Sequence, residues 1–175
     1  MSLYEPVQRW CVPSNLLPES IATMAPDGRM GNEGMVLWLG HLGNKEATIT
    51  HLVTLPNRWI TKRPDYLQVA PTALNALLDR ADPLGVSLIG QIHSHPGTFV
   101  DLSLPDRRYG ISAPYYLSVV APHYAQRQNT TWNDCGIHQF IPGLGFRRFS
   151  SREVLERIVV LSHAQVERIQ LGDGR

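Results

Sequence analysis

Residues 86–97, VSLIGQIHSHPG, constrain this chain more than any other segment. The run 86–92 is short, apolar and bounded by turn residues, so it reads as a strand buried in the middle of a sheet. It leads straight into His93-Ser94-His95. Alternate side chains on a strand share a face, so both imidazoles address one point in space while Ser94 points the other way. Pro96-Gly97 then ends the strand and turns the chain. Two neutral imidazoles on one face are a natural start for a metal site. Taken alone, a His-x-His pair on a strand is more often a surface pair or a packed one.

Eleven residues after His95 stands Asp106, the last member of an S-x-x-D unit that begins at Ser103 and is followed by Arg107, Arg108 and Tyr109. A helix starting there has Ser103 as its N-cap and Asp106 in its first turn, so a hydroxyl and a carboxylate project from one helix end. If the intervening loop folds back over the strand, Asp106 completes a His-His-Asp set. A catalytic zinc takes three protein ligands and keeps a fourth position for water. S-x-x-D by itself is more often a simple cap. The other histidines, His41, His51, His123, His138 and His163, lack such an arrangement and read as structural or exposed.

The rest of the chain alternates strand and helix patterns. Residues 18–25 read as a short helix, and residues 26–32 as a turn-rich region. The glycine-bounded run 34–40 (GMVLWLG) reads as a buried strand, and 47–55 (ATITHLVTL) as a second, with Gly43-Asn44 between them. Residues 56–71 read as a long loop carrying Trp59, Lys62, Arg63 and Tyr66. Thr72 opens a helix with Leu74, Leu77, Leu78 and Ala81 on one face, stopped by Asp82-Pro83 and Gly85. Residues 115–121 read as a strand, 134–141 and 145–149 as a hairpin around Pro142-Gly143, and Val154, Leu155, Ile158 and Leu161 as the stripe of a closing helix. The interspersed pattern predicts one α/β domain over residues 1–175, a sheet with helices packed on it.

Composition narrows the functional classes. With 16 basic and 15 acidic residues the net charge is +1, which gives no basic stripe for nucleic acid. Arg147, Arg148, Arg152, Arg157 and Arg168 interleave with Glu153, Glu156 and Glu167 and read as a solvated face. Cys11 and Cys135 are far apart and fit a reduced, cytoplasmic protein. Residues 1–10 have no apolar core of signal-peptide length, and no window is long and apolar enough to span a membrane.

Together the site residues resemble the JAMM motif of the MPN-type zinc metalloproteases. That motif has an upstream Glu, then His-Ser-His-Pro, a Ser after seven residues and an Asp three further on. His93-Ser94-His95-Pro96, Ser103 and Asp106 meet it without a gap, and Glu33 directly precedes the strand 34–40. Glu5, Glu19 and Glu46 are fallbacks, but none precedes a strand so neatly. The resemblance implies a cytidine-deaminase-like MPN fold, a mixed sheet flanked by helices. It implies Zn2+ on His93, His95 and Asp106, with Glu33 as general base and Ser103 as oxyanion donor. Active members cut after the C-terminal tail of ubiquitin or a ubiquitin-like protein. The expected partners are therefore a ubiquitin-like protein or its conjugates, with E1- and E2-like enzymes of the same pathway. Trp59 and Tyr66 fall where the family often inserts a substrate-contacting loop, as does the stretch 123–132. The rival classes are an inactive MPN-type scaffold, and a zinc amidohydrolase or sulfur-carrier-processing protease. A zinc deaminase is disfavoured because its P-C-x-x-C ligands are absent.

Overall fold

Residues 7–172 are described by a computed structural model. In chain order the elements are β1 (Arg9–Pro13), α1 (Leu16–Arg29), β2 (Met35–Leu42), β3 (Glu46–Thr54), β4 (Ile60–Arg63), β5 (Tyr66–Val69), α2 (Pro71–Ala81) and β6 (Ser87–Ser94). They continue with α3 (Leu104–Tyr109), β7 (Leu117–Ala121), β8 (Gly136–Ile141), β9 (Gly145–Arg148), α4 (Ser151–Arg157), β10 (Ile158–Leu161) and β11 (Glu167–Gln170).

Period-2 alternation in β2 explains the layering. Val36 and Trp38 face one core with Ile21 and Met24 of α1, while Leu37 and Leu39 face a second core with Leu77 and Ala81 of α2. A strand covered on both faces reads as a continuous apolar run, as GMVLWLG does. The large sheet runs β10-β1-β3-β2-β6-β7-β8-β9, with β11 added beside β3. It is mixed: β6 is antiparallel to β2 and parallel to β7. The carboxyl ends of the parallel pair β6 and β7 therefore open side by side, and open α/β sheets bind ligands at such ends.

Several sequence expectations are corrected here. The first helix does not stop at residue 25; α1 runs through Pro26 to Arg29, because its buried face of Leu16, Leu17, Ile21, Met24 and Gly28 continues through the supposed turn. Residues 56–71 are not one loop. They hold a 3-10 turn at Asn57–Trp59 and the β4–β5 hairpin, with Pro64 and Asp65 at its tip. In α2 the buried residues are Ala73, Leu77 and Ala81, and Leu78 is exposed, so the apolar face is rotated from the expected one. The closing helix ends at Arg157. Ile158-Val159-Val160 is β-branched and pairs in parallel with β1 instead, leaving Leu155 in solvent. Strands β1, β10 and β11 carried too little pattern to read.

Cys11 and Cys135 are both free and buried. The C-terminal arginines form ion pairs: Arg147 and Arg157 with Glu153, Arg152 with Glu156, and Arg168 with Glu19. Glu46 pairs with Arg9, so the fallback glutamates 19 and 46 are engaged elsewhere, and Glu5 lies outside the described residues. Among the described residues no helix is long and apolar enough to cross a membrane.

Candidate metal centre

The register of β6 builds the site. His93 lies opposite Met35 of β2 and Val120 of β7, fully buried, and His95 follows just past the strand end. The His95 amide donates to the Ala121 carbonyl at 2.9 Å, which holds the ring at the mouth of the parallel pair. Ser94 points to the other face, as the strand period requires. Its amide donates to the Gly34 carbonyl at 3.0 Å, and its hydroxyl accepts from the Gly34 amide at 2.9 Å. The middle residue of the His-Ser-His unit thus grips the residue next to Glu33. A third tie comes from the Glu33 amide, which donates to the Arg63 carbonyl of β4 at 2.9 Å.

Ser103 caps α3, and its hydroxyl and Asp106 form a reciprocal capping box. The box fixes the Asp106 carboxylate at the helix start. One oxygen, Oδ2, lies 3.2 Å from His95 Nε2 and 3.4 Å from His93 Nε2, and the two Nε2 atoms are 3.0 Å apart. The loop thus folds back over the strand, bringing the three side chains together at one point.

Ligands about 2.0–2.1 Å from a common tetrahedral centre are separated by roughly 3.3 Å. The observed triangle of 3.0, 3.2 and 3.4 Å has that size. Two imidazole nitrogens and a carboxylate oxygen are also a donor set that divalent first-row metals accept. The residues present therefore fit a metal ion.

Glu33 is 4 % exposed, and its Oε1 stands 3.8 Å from His95 Nε2, beside the trio and outside it. Burial pushes its pKa up to about 7; the nearby His95 pulls it down and Asp106 pushes it up. For Asp106, burial raises the pKa, but hydrogen bonds from His93 and His95 outweigh it and hold the carboxyl well below the usual range. Burial lowers the His95 pKa, while the Asp106 hydrogen bond and the Glu33 charge more than reverse it. The Ser103 hydroxyl donates to Asp106 Oδ2 at 2.6 Å, so its proton is engaged within the cap.

These shifts predict how the metal-free chain responds to pH. Between its ordinary pKa of 4.5 and about 7, Glu33 is protonated in the fold and ionised in the unfolded chain. The folded state binds more protons there, so stability falls as pH rises, by up to about 3 kcal/mol for a group so buried. His95 adds a contribution that is complete below its ordinary value and fades as pH rises through its raised pKa. Asp106 acts oppositely, with stability present at neutral pH and lost as pH falls below the carboxylate range. Urea unfolding of chelator-treated protein at pH 5, 6, 7 and 8 is expected to show the decline, and Glu33→Gln to flatten its lower half. An unchanged slope in that variant contradicts the assignment.

The surroundings place the remaining candidates apart. A cavity of about 370 Å3 adjoins Asp106, lined by Met35, Tyr66, Leu67, Leu74, Tyr109 and Ile111 among others. Tyr66 is at this groove. Trp59 is not among its lining residues; it packs against the core under α2, with Arg58 over its ring. Phe99, 59 % exposed, stacks on His95 at 5.8 Å with the rings 2° from parallel.

Sequence reasoning missed a left-handed turn in the stretch 123–132. His123, Tyr124 and Ala125 have φ of 54°, 52° and 56°, a conformation costing L-residues roughly 1–2 kcal/mol each. The turn is held because the Tyr124 amide donates to the His95 carbonyl at 2.8 Å and the His123 amide to the Gly97 carbonyl at 2.7 Å. The Tyr124 hydroxyl donates to the Pro64 carbonyl at 2.8 Å, linking this turn to the tip of the β4–β5 hairpin. The hairpin had a signal, Pro64-Asp65 between two four-residue runs; the strained turn had only a weak one, since of its three residues only His123 is of a type enriched at positive φ.

No protein-family model matches the chain. The solution structure of protein DSY2949 from Desulfitobacterium hafniense is similar to it with a TM-score of 0.65, covering 89 % of this chain and 95 % of that one. At 17 % identity that likeness concerns the fold alone. The probable metalloprotease y4jG of Sinorhizobium fredii is 30 % identical over 131 residues, which span 72 % of this chain and 78 % of that protein. That relative's name agrees with a His-His-Asp trio of metal-site dimensions, and this chain belongs to the same metalloprotease family.

Proposed function

We propose that this protein is a zinc-dependent isopeptidase of the JAMM type that cuts after the C-terminal tail of a ubiquitin-like protein. The observation that carries the reading is the buried Glu33, standing 3.8 Å from His95 beside a triangle of ligand atoms it does not belong to. A hydrolase that activates water needs this division between groups that hold the metal and a group that moves a proton.

His93, His95 and Asp106 would hold the zinc, whose chemistry there would be to acidify a water and polarise the scissile carbonyl. Glu33 accepts the water's proton at its carboxylate and delivers it to the leaving amine. Burial, which raises its pKa in the metal-free chain, makes Glu33 a better proton acceptor than an exposed carboxylate. The Ser103 hydroxyl turns from Asp106 to donate to the developing oxyanion, while Asp106 keeps the Ser103 amide as cap partner at 2.8 Å. Both cysteine thiols are buried and pushed up in pKa by burial, so neither acts as nucleophile.

The substrate tail lies in the groove beside Asp106. Strand β5 forms one wall, and among the described residues it pairs only with β4, leaving its other edge open to an extended peptide. Tyr66, Leu67 and Leu74 offer apolar contact to side chains of that peptide.

The test is to incubate the zinc-loaded chain with ubiquitin-like proteins joined through their C-terminus to a lysine side chain. Cleavage is expected, with loss after chelation and recovery on adding zinc. Cleavage that survives complete removal of metal would sink the proposal.

A further inference from the structure

His138 of β8 is fully buried, yet it is the hub of a polar network that the chemistry above does not use. Its Nε2 lies 2.7 Å from Asp101 Oδ1 and its Nδ1 lies 3.2 Å from the Ser118 carbonyl of β7. A neutral ring donates from only one nitrogen, and the shorter contact marks Nε2–H to Asp101. Asp101 stands two residues before Ser103, in the loop that brings Ser103 and Asp106 back over β6. The same Oδ1 accepts from the Arg107 guanidinium at 2.9 Å. Arg107 also donates to the Leu102 carbonyl at 3.3 Å and to the Phe146 carbonyl of β9 at 3.2 Å.

Packing follows the same line. Val100 and Leu102 are buried against Val120 of β7 and Phe146 of β9. A Cβ at Gly136 would collide with the Val100 carbonyl, so the loop backbone lies directly on β8. The two halves of the trio thus reach each other by separate routes. The histidines come from β6, paired in register with β7. Asp106 comes from α3, and the loop before it is tied to β8 through His138.

We propose that His138, acting through Asp101, is a positioning residue that sets the Ser103–Asp106 segment at the right distance from His93 and His95; this rests on the trio being a metal site. The Asp101 carboxylate is the joint. It orders the loop from the buried imidazole on one side and orders Arg107, the neighbour of Asp106, on the other. Partners that hydrogen-bond a ligand directly change metal affinity typically by about 10–100-fold, and a residue acting one step further out, through the loop, is expected at the lower end of that range.

The experiment compares the full chain with Asp101→Ala and Asp101→Asn. Asp101 is half-exposed, so its truncation does not open the core, as His138→Leu would. Backbone amide exchange is read on chelator-stripped protein, and zinc affinity by competition with a chromophoric chelator. Asp101→Ala is expected to lose exchange protection over residues 103–107, beyond the Leu102 amide that donates directly to Asp101 at 2.9 Å, while β6 and β7 keep theirs, and to bind zinc about tenfold more weakly. Asp101→Asn retains an acceptor for the imidazole N–H and is expected to recover most of both. Wild-type protection over 103–107 in Asp101→Ala would overturn the proposal, and so would an unchanged zinc affinity. A wild-type chain that takes up no zinc is a different result. It removes the hydrolase reading, while the exchange comparison still decides whether the clamp exists.

Discussion

Replacing Glu33 by Gln is expected to lower turnover by about a hundred- to ten-thousandfold while leaving bound metal unchanged. The side chain keeps its shape and its hydrogen-bonding reach but loses the ability to accept a proton. Glu33 is placed by backbone: its own amide is bound to Arg63, and its neighbour Gly34 is held by both the amide and hydroxyl of Ser94. None of those contacts involves the carboxylate, so the substitution leaves the local fold intact. Burial that raises the Glu33 pKa to about 7 also makes the ionised form costly, so Gln at this position relieves a penalty at neutral pH. The variant should therefore be inactive and, when metal-free, more stable than wild type at pH 8. Turnover within a factor of about two of wild type would remove Glu33 from proton transfer. Lost metal in the same variant would place it among the ligands.

The second large effect is expected at His95. His95→Ala removes one of three ligand atoms and should weaken zinc binding by more than about a hundredfold, beyond what loss of an outer-shell partner typically causes. Cleavage should disappear with it. His95 is the informative choice because Asp106 doubles as the capping partner of Ser103, whereas the His95 ring caps nothing. Its backbone bond to Ala121 survives truncation, so the strand end stays in place. Metal per chain by elemental analysis after gel filtration, and affinity by chelator competition, give the readout, with exposed His41→Ala as control. Full zinc occupancy with unaltered affinity in His95→Ala would show that the trio is not the ligand set.

What could be read without coordinates was local and periodic. The strand period placed His93 and His95 on one face and Ser94 on the other, and the S-x-x-D spacing marked the start of α3. Apolar runs gave β2, β3, β6 and β7. Where reading failed, tertiary packing overrode a local cue. Pro26 reads as a helix stop, but the buried face of α1 carries the helix past it. The stripe through Val154 and Ile158 fits a helix, but the β-branched run finds an open edge on β1. Short strands such as β4 and β5 hold too few residues for a period to show.

The sequence alone determined which side chains are chemically able to hold a metal and in what order they come, because residue type and strand or helix period are local properties. Only the tertiary structure decided that they meet. The 3.2 Å approach of Asp106 to His95 depends on a loop that crosses the sheet, and on β7, β8 and β9 supporting that loop from beneath. Glu33, sixty residues before His93, reaches the site because β2 runs antiparallel to β6. Such long-range distances come from strand pairing and the packing of distant segments, which no window of local pattern contains.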